Sequence, residues 1–355
     1  MKHWIAILAA SSALFTSCKQ DSDKAAPKLT EGSSKQPESN GKVALSASGS
    51  TFQKPFQEMA MDAFMKDHPN LKLTYGSGGS GKGRQDLADM VVDFAGTDSA
   101  YKDEDKAKLK GGDVLYFPIL LGPISVSYNV DGADHLNLSA ETLAKIMQGD
   151  ITKWNDPAIV VDNKAAKLPS DAIIVVHRAD GSGTTDNFTK YLDKASGGAW
   201  KLKSGSTVNW PTNEQAGQGN GGVATIVKST KGAIGYVDLS DAKAAGLHYA
   251  NIKNQAGKFV EPTSASTSAA GDGIEVKDDL TFSALDAKGD AAYPITYQSW
   301  VVLYAKQTDK AKGVAVKSYL AYLLGDAQKD LASLDFAPLP KSLLDKATAQ
   351  LSKIQ

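Results

Sequence analysis

Cysteine is nearly absent from this chain: Cys18 stands alone among 355 residues. One thiol excludes an internal disulfide framework and leaves no cysteine cluster for zinc. The five histidines (His3, His68, His135, His177, His248) are scattered, and none falls in a metal-protease pattern. No metal and no cofactor is expected. An excess of one charge is lacking too, with 39 Lys plus Arg against 40 Asp plus Glu. No overall field therefore draws the chain to nucleic acid or to an anionic membrane, and any anion site must be local. The apolar stretch from Trp4 to Phe15 is too short to read as a membrane span.

What that stretch does fit is a secretory signal, basic at Lys2 and ending in Leu14-Phe-Thr-Ser-Cys18. The ending resembles a bacterial lipobox, with Phe15 where a smaller aliphatic is usual, so residues 1–18 read as a lipoprotein-type signal and Cys18 as the lipidated residue. A plain signal peptide with a stray cysteine is the alternative, but an unpaired exposed thiol is a liability outside the cytosol. Residues 19–42 mix Ser, Lys, Pro, Glu and Gly without an aromatic and cannot bury enough surface to fold. They read as a disordered tether spanning roughly 25–30 Å r.m.s..

The folded body is organised around Arg178-Ala-Asp-Gly-Ser-Gly-Thr-Thr185, which follows an apolar run (Ile173–Val176) and precedes helical spacing at Phe188, Tyr191 and Leu192. That order reads strand, glycine loop, helix start. Ser182, Thr184 and Thr185 lie where N-cap residues belong, and exposed helix N–H groups beside a fixed cation suit a tetrahedral oxyanion. Asp180 can pair with Arg178 and hold its guanidinium fork. An ordinary strand-to-helix turn with a surface ion pair reads equally well from this loop alone. His177 reads as a packing residue at a strand end.

Two more loops repeat the pattern. Val43–Ala47 leads through Ser50 and Thr51 to a helix marked by Phe52, Phe56, Met59, Ala60 and Phe64, with Pro55 tolerated in its first turn. Leu71–Tyr75 leads through Gly76–Gly83 to a helix marked by Leu87, Met90 and Val91. Gly76, Gly78 and Gly81 fit a dinucleotide fingerprint, and Gly81-Lys82 fits a P-loop up to its last position, where Gly83 replaces the magnesium-binding hydroxyl. The glycines then serve close backbone approach to a small anion, with Ser80 as donor and Lys82 a solvated first-turn residue. Val91–Ser99 reads as a short apolar strand ending in Thr97-Asp98-Ser99. Asp98 either caps the next helical segment or faces the anion, where a carboxylate tolerates only a ligand carrying its own proton. Phosphate has such a proton near neutrality (the second pKa of its esters is about 6) and sulfate does not.

Farther on, Tyr116–Leu121 and Ile124–Val130 read as two extended runs, Leu143, Ile146 and Met147 as a helix, and Trp200–Val227 as glycine-rich. Gly232–Val237 reads as a strand, Pro262–Gly273 as an exposed loop, Tyr293–Tyr297 and Val301–Ala305 as separate strands, and the C-terminal part as helical.

Together Gly49–Phe52, Gly76–Gly83, Val92–Asp98, Gly149–Asn155, Arg178–Thr184, Gly205–Pro211, Gly232–Val237 and Tyr293–Thr296 resemble the periplasmic phosphate-binding proteins of Pst-type phosphate ABC transporters. The resemblance runs from Val43 onward, and departs where Gly81, Lys82 and Arg84 follow Ser80 instead of a second serine. It implies an α/β, two-lobed class II periplasmic-binding-protein fold, two sheet-and-helix domains joined by a two-crossing hinge near Pro118 and Pro294. Residues 43–117 with 296–355 would form one lobe and 118–295 the other. It implies phosphate ligands at Thr51, Phe52 (through its backbone), Ser80, Asp98, Arg178, Ser182, Gly183 and Thr184, with Asp180 behind Arg178. The expected partners are inorganic phosphate and the membrane subunits of a phosphate permease, for a monomer in the periplasm or at the cell surface. The rival readings are a receptor for another tetrahedral oxyanion and a secreted phosphatase-like enzyme using Ser182 or Thr184 as nucleophile.

Overall fold

The computed structural model describes residues 42–211 and 214–355; the signal, the Cys18 lipidation site and nearly all of the tether lie outside the described residues. Twelve strands are formed among the described residues. They are β1 (Val43–Gly49), β2 (Leu71–Ser77), β3 (Phe94–Thr97), β4 (Val114–Asn129), β5 (Asn137–Leu138), β6 (Ile174–Arg178), β7 (Glu214–Gly217), β8 (Ala233–Asp238), β9 (His248–Tyr249), β10 (Asn251–Lys253), β11 (Phe259–Val260) and β12 (Thr296–Tyr304). Nine form one sheet in the order β2-β1-β3-β12-β4-β8-β6-β7, with β9 pairing β4, and β11-β10-β5 form a small second sheet.

The large sheet has two halves sharing β4. Its residues 114–123 pair antiparallel with β12, and its residues 124–129 with β8. The expected pair of extended runs is therefore one strand of 16 residues. Pro118 is accommodated opposite Trp300 at a bulge, and Pro123 is the last residue paired with β12, so neither proline breaks a regular ladder. Beside the switch at Pro123/Ile124, the Ile124 N–H donates to the Ile295 carbonyl at 2.9 Å, and the Tyr293 hydroxyl donates to the Ile124 carbonyl at 2.7 Å. The two segments that cross between the halves thus run side by side.

Within each half the remaining strands are mainly parallel: β1 pairs β2 and β3, and β6 pairs β7 and β8. Parallel strands need helical crossovers and place ligands beyond their carboxyl ends. Here those ends are Gly49, Ser77 and Thr97 in one half and Arg178, Gly217 and Asp238 in the other. The loops singled out in the sequence leave from these ends.

Several sequence expectations are corrected. The helix after the Gly76–Gly83 loop is Ser80–Ala88; Met90 takes a left-handed φ of 61° and, with Val91, is exposed. Residues 262–273 are not an exposed loop but contain the helix Ser264–Gly271, started by a Thr263/Ser266 capping box and burying Thr267 and Ala270. Its small residues allow close packing, since a Cβ on Gly271 would lie 2.7 Å from Leu121. Tyr293–Tyr297 and Val301–Ala305 are not separate strands, because β12 runs unbroken from Thr296 to Tyr304. Glycine-dense 217–222 opens the helix Gly219–Ser229.

Candidate functional site

The seam between the halves is closed by direct contacts. The Gly81 N–H donates to the Gly181 carbonyl at 2.8 Å, Ser99 Oγ to Asp186 Oδ2 at 2.5 Å, and Asn187 Nδ2 to the Asp98 carbonyl at 2.7 Å. Four helices begin here, Lys54–Asp67 and Ser80–Ala88 from one half, Gly183–Ala195 and Gly219–Ser229 from the other. Glycine permits this approach: Gly79 holds a φ of +90° against Gly181 and Asp180, and a Cβ on Gly183 would sit 2.6 Å from Asp98 Oδ2. We expect Gly183→Ala to weaken anion binding at least 100-fold by blocking closure, with a small change in melting temperature, measurable by titration calorimetry and thermal unfolding.

Asp98 lies one residue past β3 and is 1% exposed. It does not cap a helix; Lys102 is the residue before the next one. Its Oδ2 accepts from Ser50 Oγ at 2.7 Å and Ser80 Oγ at 3.0 Å, and its Oδ1 from Ser299 Oγ at 2.5 Å. Burial raises its pKa above the usual carboxylate range, against the pull of the Ser299, Ser50 and Ser80 hydroxyls and the Arg178 charge. Ser80 also accepts from the Asp98 N–H at 3.2 Å, so its hydroxyl is directed at Asp98.

Arg178 ends β6, and its side chain is 1% exposed. Asp180 holds the fork through both Nε and Nη2, as the sequence predicts, and is itself fixed by the Gly219 N–H at 3.0 Å. Burial alone would raise the Asp180 pKa; the Arg178 contact and charge, with the Gly219 N–H, outweigh it and hold the carboxyl below its usual value. Arg178 Nη1 reaches Asn220 Oδ1 at 2.9 Å and Thr184 Oγ1 at 3.4 Å.

Ser182 is the N-cap of the helix Gly183–Ala195, its Oγ accepting from the Thr185 N–H at 3.1 Å. That leaves its own proton to donate. Gly183 and Thr184, the first two helical residues, have no intrahelical acceptor for their N–H groups. Thr184 Oγ1 also lies 3.3 Å from the Tyr297 hydroxyl, and Tyr297 packs on Phe52 with ring centroids 4.1 Å apart. Thr51 Oγ1 accepts from the Asn220 N–H at 3.4 Å. Every sequence-selected site residue from Thr51 to Thr184 is thus at the seam.

Lys82 is not: its Nζ pairs with Asp86 on the exposed side of its helix. His177 turns to the Arg178 carbonyl, Glu214 and the Trp210 ring, not to a serine or threonine of the loop. The sequence reading missed Ser299, Asn187, Asn220 and Tyr297 as parts of the site. Gln298-Ser299 had a signal, a polar pair within an otherwise largely apolar strand. A cavity of about 470 Å³ lined by Ser99, Asn187, Lys190, Gln298 and Trp300 reaches Asp98 but not Arg178, Ser182 or Thr184. Among the described residues no cluster of metal-ligating side chains is present, and no helix is long and apolar enough to cross a membrane.

Two sheet halves meeting over a seam of helix N-termini are the architecture of a two-lobed α/β binding protein. The PBP superfamily domain model matches residues 33–327. The chain is 35% identical over 362 residues to phosphate-binding protein PstS 3 of Mycobacterium leprae, covering 98% of this chain and 97% of that one. It is 38% identical over 325 residues to phosphate-binding protein PstS of Methanocaldococcus jannaschii, covering 84% and 83%. The crystal structure of a phosphate-binding protein from Stenotrophomonas maltophilia shares the fold, with a TM-score of 0.71 at 18% identity over 87% of this chain and 94% of that one. The chain belongs to the PstS family of phosphate-binding proteins, within the PBP superfamily.

Proposed function

We propose that this chain captures inorganic phosphate outside the cytoplasm by closing its lobes, and delivers it to an ABC permease for import. The observation that carries the reading is Asp98, a buried carboxylate at the seam that, unlike Asp180 and Asp186, has no cation as a hydrogen-bond partner and is held by serine hydroxyls alone. Thr51, the Phe52 backbone, Ser80, Ser182, Gly183, Thr184 and Arg178 supply hydrogen bonds and charge to the phosphate oxygens, and Asp98 accepts the phosphate proton. One arginine paired with Asp180 leaves little net charge, so helix N–H dipoles carry much of the anion's stabilisation. Ser80 turns from Asp98 to the ligand when phosphate enters.

We place the bend where β4 changes partners at Pro123/Ile124 and the neighbouring segment 293–296 crosses back, so residues 118–123, paired with β12, go with lobe I (43–117 and 296–355) and not with the 118–295 lobe expected from the sequence. The protein is a monomeric receptor and not an enzyme, without cofactor or metal, tethered through a lipid on Cys18 at the periplasmic or cell surface. Related PstS proteins being named for phosphate binding supports the ligand. Titration of phosphate-stripped protein should give tight one-to-one binding of phosphate and no heat with sulfate at neutral pH. Sulfate competing on equal terms would reject the role of Asp98, and silence toward phosphate would reject the reading.

A further inference from the structure

Asp238 is another carboxylate removed from water near the seam, 0% exposed and, unlike Asp180 and Asp186, with no cation among its hydrogen-bond partners. It ends β8 opposite Ile124, the first residue of β4 after the change of partners. Oδ1 accepts from the Asp241 N–H at 2.8 Å and from Ser240 Oγ at 2.7 Å, capping the helix Leu239–Ala244. Capping needs one oxygen. The other, Oδ2, accepts from Asn220 Nδ2 at 2.8 Å, and Asn220 Oδ1 accepts from Arg178 Nη1 at 2.9 Å. Asn220 is also fully buried.

The direction of this chain of hydrogen bonds is set by chemistry. A guanidinium only donates, so the amide must show it oxygen; the amide nitrogen then faces Asp238 and needs an acceptor. Both Asp238 oxygens are used as acceptors, Oδ2 toward Asn220 and Oδ1 toward Ser240 and the Asp241 N–H. Asn220, so fixed, has one orientation and gives Arg178 Nη1 its shorter contact, 2.9 Å against 3.4 Å to Thr184 Oγ1. Asp180 fixes the other edge of the fork.

We propose that Asp238 is a positioning residue that aims the Arg178 guanidinium at the anion by locking the amide of Asn220. The proposal rests on the phosphate reading of the site. A buried carboxylate without a cation is costly, and burial raises the Asp238 pKa well above the usual range, with like-charged Asp241 adding to it. Capping alone does not call for that cost, since serine and asparagine cap helices about as well as aspartate. Aiming does call for it, because only a carboxylate accepts at both oxygens. With asparagine at 238, one amide group must face the wrong way: either the cap is lost or Asn220 turns its NH2 toward Arg178.

The test measures phosphate affinity by calorimetry and melting temperature without ligand for Asp238→Ser, Asp238→Asn, Asn220→Ala and the double variant Asn220→Ala/Asp238→Ser. The relay predicts that Asp238→Ser, which keeps a capping oxygen and removes the buried charge, melts no lower than wild type yet binds phosphate about tenfold or more weaker, and that Asp238→Asn binds at least as weakly whether or not its cap survives, a tenfold change corresponding to about 1.4 kcal/mol. It also predicts that the double variant binds no worse than Asn220→Ala, because Asp238 acts through Asn220. Wild-type affinity in Asp238→Ser, or losses that multiply in the double variant, would overturn the relay while leaving the phosphate site intact. Should Asp238→Ser not fold, Asp238→Asn and the cycle Asn220→Ala/Asp238→Asn decide by the same criteria. Wild-type protein that ignores phosphate would overturn both proposals together.

Discussion

Arg178→Ala should abolish measurable phosphate binding and at the same time destabilise the empty protein by about 3–5 kcal/mol, the cost typical of leaving half a buried ion pair behind. Both effects come from one position. The Arg178 and Asp180 side chains are 1% and 7% exposed, and without the guanidinium Asp180 retains only backbone partners, its own N–H and the Gly219 N–H of the neighbouring helix. In the wild type the Asp180 pKa is held low, so its stabilising contribution is present above the unfolded-state value, about 3.9, and is lost as pH falls through the folded-state value. In Arg178→Ala burial is unopposed by a cation and the pKa swings upward. The sign then reverses: protonation relieves the site, and the variant should recover stability as pH falls from neutrality toward the unfolded-state value, about pH 4, while the wild type changes little through this pair above that value. The double variant Arg178→Ala/Asp180→Ala should regain stability at neutral pH without regaining phosphate. Thermal melts at the two ends of this range, with calorimetric titration of all three proteins, separate folding from binding. Phosphate affinity within a few-fold of wild type in Arg178→Ala would remove the arginine from the site.

The loops were legible because each uses local chemistry. Ser182 caps its helix within three residues, Asp180 meets Arg178 within two, and Phe56, Ala60 and Phe64 mark a helix face by spacing alone. What sequence could not order was contact between distant stretches of chain. Ser299 meets Asp98 across 201 positions within one half, and Tyr297 meets Thr184 across 113 over the seam, separations at which no periodicity speaks. The glycines of 217–222 hid a helix start, since glycine weakens a helix on propensity; what holds this one is the burial of Val223, Ala224 and Val227 against β8. Helix Ser264–Gly271 was hidden for a related reason. Its small residues give little amphipathic signal, while the same smallness lets it lie close on β4 near Leu121. Tertiary packing overrode composition in both cases.

Asp98→Asn should collapse the discrimination between phosphate and sulfate from several orders of magnitude to within about tenfold. Against a carboxylate, a fully deprotonated anion sets acceptor against acceptor at a position 1% exposed, and leaving such groups unpaired costs about 1–3 kcal/mol each, more when charged. The amide of asparagine can instead donate, so sulfate gains a partner, while the phosphate proton meets a weaker acceptor. Ser50, Ser80 and Ser299 can rotate their hydroxyls to serve either atom of the new side chain, so the fold around position 98 survives the change. The empty protein should in fact gain stability. Burial raises the Asp98 pKa; stability from a group shifted in that direction is fully present below the unfolded-state value, about 3.9, and is lost as pH rises through the folded-state value. Asparagine does not ionise and escapes that loss. Melting temperatures of the phosphate-free proteins should therefore favour Asp98→Asn at neutral pH, with the advantage shrinking toward about pH 4. Continued silence toward sulfate in a folded Asp98→Asn protein would show that shape, not the buried charge, selects the ligand. A gain in sulfate affinity together with a gain in stability would mean that the charge at position 98 is maintained at the expense of the fold, for the sake of choosing between two anions of nearly the same size.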